Sequence, residues 1–266
     1  MVESPWGPLP GWLVFTFALI LGGSLGSFAN VLIYRLPEEL SLVRPASRCP
    51  KCGRAIKPVE NIPVISWILL GGRCKGCGES ISIQYPLIEA ASAIIIMFCV
   101  FKWGVTYQAL AYGLLFIGLI ALILIDLRHW LLPFAITIPL TVVGLAGAIL
   151  FGMRPWADSL IGMGVGFAIF LVMLLAGKWI FKKEALGGGD VVFGMMAGAF
   201  LGWKSVILMM FVASFLGTLL AVIMLISGKE IAGRSVPFGP FLAIALVICL
   251  FSGDAMIAWY INMFAH

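Results

Sequence analysis

Long apolar runs, separated by short polar breaks, make up most of this chain. A helix needs about 17–25 apolar residues to cross a bilayer, and the chain has eight runs near that length. They lie at about residues 12–34, 86–101, 106–126, 132–152, 158–181, 190–203, 205–227 and 236–252. The sixth is short for a full span, which indicates a tilted helix or one sunk below an interface. The pattern predicts an all-α polytopic membrane protein with about eight transmembrane helices.

Composition supports this fold class. Of the 266 residues, 62% are hydrophobic and only 11% are charged, and a mean hydropathy of +1.12 excludes an ordinary soluble domain. The first ten residues include Glu3 but no Lys or Arg, so they lack the basic region of a cleaved signal peptide. We therefore expect the first run to stay in the membrane as a helix.

The lysines and arginines predict an orientation, because cytoplasmic loops carry an excess of them. When the polar breaks alternate between the two sides, 14 of the 17 fall on one side: Arg35, Arg44, Arg48, Lys51, Arg54, Lys57, Arg73, Lys75, Arg128, Lys178, Lys182, Lys183, Lys229 and Arg234. Only Lys102, Arg154 and Lys204 fall on the other. The first side is predicted to be cytoplasmic and both termini periplasmic. The net charge of +5 reflects this topology, so no nucleic-acid partner is expected.

One polar segment, residues 35–85, is long enough to be a soluble domain. It is rich in Pro, Gly, Arg and Cys, and at about 50 residues it needs a staple in place of a large core. We therefore divide the chain into a first transmembrane helix (1–34), a small cytoplasmic domain (35–85) and a membrane domain of seven helices (86–266).

Four cysteines predict that staple. Cys49 and Cys52 form one C-x2-C pair, and Cys74 and Cys77 form a second after 21 intervening residues. Two such pairs can close a tetrahedral zinc site that leaves no position for a reactive water. A structural zinc is the prediction, and unmetallated cysteines or a redox pair are the alternatives.

Small residues recur at every fourth position in two of the runs. Gly22 and Gly26 do so in the first run, and Gly194, Gly198 and Gly202 do so in the sixth. This spacing lets helix backbones approach closely in lipid, so we interpret these glycines as packing residues.

Two acidic residues stand where apolar runs meet polar breaks. Asp126 ends the third run, and Asp190 follows Gly187, Gly188 and Gly189 at the start of the sixth. An acid at bilayer depth is costly and is a functional candidate by default. The structural alternatives are a solvated helix end at Asp126 and a helix N-cap at Asp190. Glycines beside Asp190 would also let an extended peptide backbone approach its carboxylate.

Two carboxyls in contact would support peptide hydrolysis. Close carboxyls cannot both ionise, so the pair shares one proton. The ionised group takes a proton from water, while the protonated group hydrogen-bonds the scissile carbonyl and assists the leaving amine. This chemistry requires neither a metal nor a nucleophilic side chain.

Several separated motifs resemble those of bacterial type IV prepilin peptidases, intramembrane aspartic proteases of the Gly-x-Gly-Asp class. Besides the two C-x2-C pairs, they are Gly26-Ser-Phe-Ala-Asn30-Val-Leu-Ile-Tyr-Arg35-Leu-Pro37, Asn61-Ile-Pro63-Val-Ile-Ser66-Trp67, Ile81-Ser82-Ile-Gln-Tyr85-Pro86-Leu-Ile-Glu89, Gly187-Gly188-Gly189-Asp190 and Pro237-Phe238-Gly239-Pro240-Phe241. The ordered set covers almost the whole chain. Asp126 and Asp190 match the family's two catalytic positions.

The resemblance implies a location, substrates and a second activity. The location would be the bacterial inner membrane, among lipid, and the substrates would be type IV prepilins and type II secretion pseudopilins. Cleavage would follow a Gly on the cytoplasmic side, between a basic leader and a hydrophobic helix, with Gly187, Gly188 and Gly189 contacting the substrate. Many members also methylate the new N-terminal residue with S-adenosylmethionine, and those members carry the cysteine domain that this chain has, so the resemblance implies this methyl donor. The sequence assigns no donor-binding residue.

Glu89 matches the family's Tyr-Pro-x-x-Glu pattern and is included among the candidate substrate-binding residues. One interpretation is an acidic residue near a helix N-terminus, where the helix dipole favours it. The other is contact with the substrate's amino end or with the methylation site.

Two different functions compete with peptidase activity. A proton-coupled transporter or channel would use the same acids as a relay, and it would show proton flux without leader cleavage. A non-catalytic scaffold whose zinc domain binds a partner would tolerate Asp→Asn changes at both positions. The scarcity of other charged residues inside the spans argues against the transporter.

Overall fold

The computed structural model describes residues 10–181, 186–227 and 237–264. The helices in this part are α1 (Gly11–Arg35), a 3-10 turn (Pro58–Glu60), α2 (Ile65–Leu69), α3 (Gln84–Trp103), α4 (Tyr107–His129), α5 (Phe134–Phe151), α6 (Trp156–Phe181), α7 (Gly188–Ile226) and α8 (Gly239–Phe264). Seven of these described helices are long and apolar enough to cross a membrane. The predicted all-α multi-pass class is confirmed. The chain start and Lys182, Lys183, Lys229 and Arg234, which entered the orientation argument, lie outside the described residues.

The chain divides into two compact units, Met1–Ala121 and Leu122–His266, with the boundary inside α4. The first holds α1 to α3 and the cysteine segment, and the second holds α5 to α8. The predicted three-part division at residues 35 and 86 stays a prediction.

In the first unit, glycines bring α1 against α3. A Cβ on Gly22 would lie 2.6 Å from the Cα of Ala93, and one on Gly26 would lie 2.7 Å from the Cα of Glu89. Real Cβ atoms do not approach backbone so closely, so only glycine permits this contact. The packing interpretation of Gly22 and Gly26 is confirmed.

In the second unit, α7 is two helical segments that fold back on each other at Gly202. Gly202 has φ 75° and ψ 173°, a non-helical conformation inside the α7 range. Before it, Gly198 packs on Gly162 and Gly194 on Gly166. After it, Val206 lies beside Gly166 and Met210 lies beside Ile169. Both segments therefore run in the same direction along α6 away from Gly202, so the chain reverses there.

This reversal supports the prediction that the sixth and seventh runs are separate spans, although Gly188–Ile226 counts as one of the seven apolar helices above. A straight helix of 39 residues would be about 58 Å long at 1.5 Å per residue, nearly twice the apolar thickness of a bilayer. The turn instead returns the chain to the end of the unit from which α7 started. The four-residue glycine spacing is also confirmed as packing, although Gly202 has the added role of forming the turn.

The last helix is longer than predicted. The eighth apolar run was predicted to end at about residue 252, but α8 continues to Phe264 through Ser252, Gly253 and Asp254. Gly253 is buried against Ser205, whose Oγ would lie 3.2 Å from an added Cβ, while Asp254 is exposed. The trio is a packing contact and a polar side chain within a continuous helix.

Candidate active site and cysteine cluster

Asp126 is a buried carboxyl held by a distant backbone amide. It lies near the end of α4 and is 6% exposed. Its Oδ2 accepts a hydrogen bond of 2.8 Å from the N–H of Gly239, the first residue of α8. That N–H is one of the amides that a helix start leaves without an intrahelical partner, and the helix dipole favours a carboxylate there. The solvated helix end considered for Asp126 is therefore wrong.

Asp190 is the third residue of α7 and reaches back to cap its own helix. Its Oδ2 accepts a hydrogen bond of 2.9 Å from the N–H of Gly187, which is the N-cap residue. The predicted N-cap position of Asp190 is wrong by three residues, but the side chain does satisfy an amide at the helix start. The half-buried Asp190 is thereby oriented by the backbone next to it.

A single leucine fills the space between the starts of α7 and α8. A Cβ on Gly189 would lie 2.7 Å from the Cβ and carbonyl oxygen of Leu132. One on Gly239 would lie 3.1 Å from the Cδ2 of Leu132 and 2.5 Å from the Oδ2 of Asp126. Side chains at either glycine would push these groups apart, so both glycines are required for the close arrangement.

The two carboxyls are near enough to interact. Gly189, next to Asp190, and Gly239, which bonds Asp126, both contact Leu132, and this places Asp126 close enough to repel the Asp190 carboxylate. Neither acid forms a salt bridge with any Lys or Arg in the described part of the chain. Two neighbouring carboxyls without a cation favour sharing one proton. The arrangement can therefore supply an acid and a base at one place.

Gly187 and Gly188 leave open space beside this pair. Both are exposed, and an added Cβ would have no neighbour closer than 3.6 Å at Gly187 and 3.9 Å at Gly188. Of the three predicted substrate-contact glycines, Gly189 is used for packing, and the other two are accessible to a ligand.

The four predicted metal ligands come together in the first unit. The Sγ atoms of Cys49, Cys52, Cys74 and Cys77 all lie within 4.8 Å of one another, and those of Cys49 and Cys77 are 3.9 Å apart. A tetrahedral site with Zn–S bonds of about 2.3 Å requires sulfur atoms roughly 3.8 Å apart. The cluster fits a metal ion of that kind.

Two matching knuckles build the cluster. The N–H of Cys49 donates to the carbonyl of Arg54, and the N–H of Cys74 donates to that of Glu79. Each knuckle then turns through a glycine at positive φ, 69° at Gly53 and 72° at Gly78. Hydrogen bonds from the backbone N–H groups of Cys77 and Gly76 lower the pKa of the Cys74 thiol to about 6, which favours its thiolate form, whereas desolvation and hydrogen bonds with the neighbouring cysteines raise the pKa of Cys77 to about 11.

An ion pair ties the first knuckle to the following 3-10 turn. Arg54 donates to both carboxylate oxygens of Glu60, at 2.8 and 3.1 Å. This hydrogen bond lowers the pKa of the Glu60 carboxyl. Bidentate pairs of this type fix geometry as well as charge, so the knuckle is held to the segment that leads to α2.

Glu89 connects α3 to this same segment. It is buried, at 8% exposed, and its Oε2 accepts a hydrogen bond of 2.7 Å from the N–H of Val64, the N-cap residue of α2. Val64 has φ 62°, a conformation that a β-branched residue rarely adopts. The first turn of α3 contains no acidic residue; Glu89 is the sixth residue of the helix, and its carboxylate bonds the start of α2.

Sequence reasoning missed the amide partners of the acids. The N–H of Gly239 carries no side-chain signal, and its only trace is the Pro-Phe-Gly-Pro motif quoted above. Val64 was likewise part of a motif without an assigned role. The donors to these carboxylates are backbone N–H groups, and residue type does not show which N–H group a distant carboxylate will meet.

Together, the fold and this site define a multi-pass membrane protein with a pair of neighbouring carboxyls and a four-cysteine cluster. Residues 20–103 match the bacterial peptidase A24 N-terminal domain, and residues 113–222 match the type IV leader peptidase family. The chain belongs to the type IV leader peptidase family.

Three relatives share most of their length with this chain, and each is named a prepilin leader peptidase/N-methyltransferase. The Myxococcus xanthus protein is 40% identical over 232 residues, which are 86% of this chain and 68% of that protein. The Pseudomonas aeruginosa protein is 38% identical, covering 94% of both chains. The Aeromonas salmonicida protein is 33% identical, covering 94% of this chain and 95% of its own. No solved structure matches the chain.

Proposed function

We propose that this protein is a membrane aspartic endopeptidase that removes the leader from type IV prepilins and methylates the new N-terminal residue. The observation that carries the peptidase activity is the Asp126–Asp190 pair. One carboxyl is buried, each accepts a bond from a backbone amide, and the two interact electrostatically.

The proposed hydrolysis uses one shared proton. The ionised carboxylate accepts a proton from a water molecule as the water oxygen attacks the scissile carbonyl carbon. The protonated carboxyl meanwhile hydrogen-bonds and stabilises the carbonyl oxygen. Proton transfer to the nitrogen then releases the new amino terminus. The amides of Gly187 and Gly239 hold the carboxyls in place, so little reorganisation is needed during the reaction.

The substrate would approach beside the exposed glycines. An extended segment can lie over Gly187 and Gly188 because no side chain occupies the space next to them. We propose cleavage after a Gly on the cytoplasmic side, as the charge distribution predicts, with a basic leader on one side and the apolar pilin helix on the other. Pseudopilins share that layout and are proposed as further substrates, and membrane lipid surrounds the apolar helices.

The cysteine cluster is proposed to hold structural zinc. Four sulfur ligands close the coordination shell, so the ion would stabilise the fold of a small domain and would not activate water. We assign this domain, together with Glu89, to methylation and not to cleavage, because the carboxyl pair lies in the other compact unit. The methyl donor would be S-adenosylmethionine.

One experiment tests both activities. Purified protein in detergent is incubated with a prepilin, with and without S-adenosylmethionine, and the product is read by intact mass. We expect loss of the leader in both reactions and gain of one methyl group only with the donor. Proton flux in proteoliposomes without leader loss would contradict the proposal and favour the transporter.

A further inference from the structure

The first unit contains a cavity of about 650 Å³. Its wall is formed by the end of α1, the cysteine segment and the start of α3, including Asn30, Tyr34, Trp67, Tyr85 and Glu89. Pockets that enclose a small organic ligand typically measure about 300–1,000 Å³. The cavity is therefore large enough for a ligand of nucleoside size or somewhat larger.

Asn30 brings an unpartnered acceptor to this wall. The side chain is 4% exposed, and its Nδ2 donates a hydrogen bond of 3.2 Å to the carbonyl of Tyr85. That bond fixes the orientation of the amide and leaves Oδ1 without a partner among the described residues. A buried acceptor without a donor is unfavourable, so a ligand with an N–H or O–H group would be stabilised here.

Glu89 brings a buried negative charge without a cation. Its carboxylate accepts hydrogen bonds from Val64 and Ser27, yet it forms no salt bridge with any Lys or Arg in the described ranges. Burial of an uncompensated carboxylate is costly. A ligand with a fixed positive charge would compensate it.

Aromatic rings on the same wall would also attract a positively charged ligand. Tyr34, Tyr85 and Trp67 line the cavity, and the indole of Trp67 is fixed by a hydrogen bond of 3.1 Å from Nε1 to the carbonyl of Ile81. Aromatic faces attract cations that cannot donate hydrogen bonds, such as quaternary ammonium groups. A sulfonium is a cation of this kind.

We propose that this cavity is the binding site of the methyl donor, with Glu89 facing the sulfonium and Asn30 Oδ1 accepting a hydrogen bond from the adenosine part. The proposal rests on the methyltransferase activity proposed above and adds its location. Arg44, also on the wall, supplies a cation for the donor's carboxylate.

When bound, S-adenosylmethionine would supply an electrophilic methyl group to the new amino terminus. The methyl carbon would bond to the amine nitrogen as the carbon–sulfur bond breaks, sulfur would keep that electron pair, and the nitrogen would lose a proton. This chain's residues only bind and orient. The zinc cluster would support the wall, since Cys49 and Cys74 also border the cavity.

A pair of ligands that differ in charge tests the role of Glu89. S-adenosylmethionine carries the sulfonium, whereas S-adenosylhomocysteine has a neutral thioether and is otherwise the same except for the methyl. Calorimetric titration of the purified full chain should show that Glu89→Gln weakens S-adenosylmethionine binding about tenfold, because a charge–charge attraction is lost, and S-adenosylhomocysteine binding about twofold or less. Equal weakening of both, or of neither, would overturn this role, since a purely structural Glu89 does not distinguish the two ligands.

Substitution of Asn30 is expected to weaken both ligands equally, unlike substitution of Glu89. Asn30→Ala should weaken both ligands about tenfold, because both contain the adenosine that would bond Oδ1. Asn262→Ala, an exposed asparagine on α8, is the matched control and should bind both like wild type. Wild-type affinity in Asn30→Ala would contradict the assignment.

Two further readouts separate failure of the site from failure of folding or of the proposed function. Each variant should still remove the prepilin leader, which shows that the protein is folded. Photo-crosslinking of methyl-labelled donor should label peptides within residues 27–89. Labelling only within residues 122–264 would overturn the site while leaving the function intact, and absence of leader cleavage by wild-type protein would refute the proposed function itself.

Discussion

The Asp126 carboxyl depends on a glycine amide 113 positions away in the chain. Gly239 has two properties that matter at this contact: it begins a helix, so its N–H is free to donate, and it lacks a Cβ, so Asp126 can approach. Neither property belongs to a reactive side chain. The candidate site therefore rests on a residue that does no chemistry itself.

Gly239→Ala should reduce leader cleavage about a hundredfold, because a displacement of about 1 Å in a catalytic group has an effect of that order. The added Cβ would lie 2.5 Å from Asp126 Oδ2 and would force the carboxyl to move. Gly164→Ala is the control, since nothing lies within 4 Å of a Cβ there. The measurement is the leader-cleavage rate of each purified variant. A near-normal rate in Gly239→Ala would show that Gly239 does not position Asp126.

The sequence predicted which acids and cysteines lie at the site, because their side chains stand out in an apolar chain or recur at metal-ligand spacing. It did not predict what holds them. The Gly239 amide, the Val64 amide that binds Glu89 and the contact of Leu132 with Gly189 all depend on segments that meet only in the folded chain. Residue type specifies the chemistry, and long-range packing specifies its geometry.

At the level of helices, the turn at Gly202 determines where the end of α7 lies. The predicted break at residue 204 was within two residues of the observed one, because Trp203 and Lys204 mark an interface. The reversal itself was not visible in the pattern. It brings Gly202 against Asp158, which is paired with Arg154 at 2.8 Å.

Gly202→Ala should destabilise the second unit. The combination of φ 75° and ψ 173° belongs to a region nearly restricted to glycine and costs about 1–3 kcal/mol for other residues, and the new methyl would also meet Asp158. We expect a lower free energy of unfolding in detergent, again with Gly164→Ala as the control. Unchanged stability would show that the turn does not require glycine.

The cysteine knuckles make a separate prediction about the first unit. Elemental analysis should find about one zinc ion per wild-type chain, as four-cysteine sites bind one, and much less in Cys49→Ser and Cys74→Ser. Cys99→Ala removes a buried membrane cysteine and should leave the zinc content unchanged. Both serine variants should lose methylation more than cleavage, and equal loss of the two activities in folded protein would argue against this division.

For the whole chain, counting the two parts of α7 separately turns the seven apolar helices of the described residues into eight candidate spans. With eight segments, Asp126, Asp190 and Gly239 all lie toward one end of the second unit, and Arg154 and Gly202 lie toward the other. This agrees with the alternation used to count charges, which puts Arg154 and Lys204 on the same side. Sidedness itself stays a prediction from the excess of Lys and Arg.

Reporter fusions test that sidedness. Alkaline phosphatase, which is active only outside the cytoplasm, should be inactive when fused after Lys57 and active when fused after Arg154. A fluorescent protein that folds only in the cytoplasm should give the reverse result. Activity of the phosphatase at Lys57 would invert the proposed orientation and place the carboxyl pair on the wrong side for cytoplasmic leader cleavage.

We propose that Asp126 and Asp190 together hydrolyse the bond between the prepilin leader and the mature pilin. The most direct measurement is the intact mass of a prepilin incubated with purified Asp126→Asn, Asp190→Asn and, as a control, Asp254→Asn, which changes an exposed acid on α8. An amide can neither supply nor accept the shared proton, so we predict no detectable cleavage by either site variant and wild-type cleavage by the control. Wild-type cleavage by Asp126→Asn and Asp190→Asn would contradict the account.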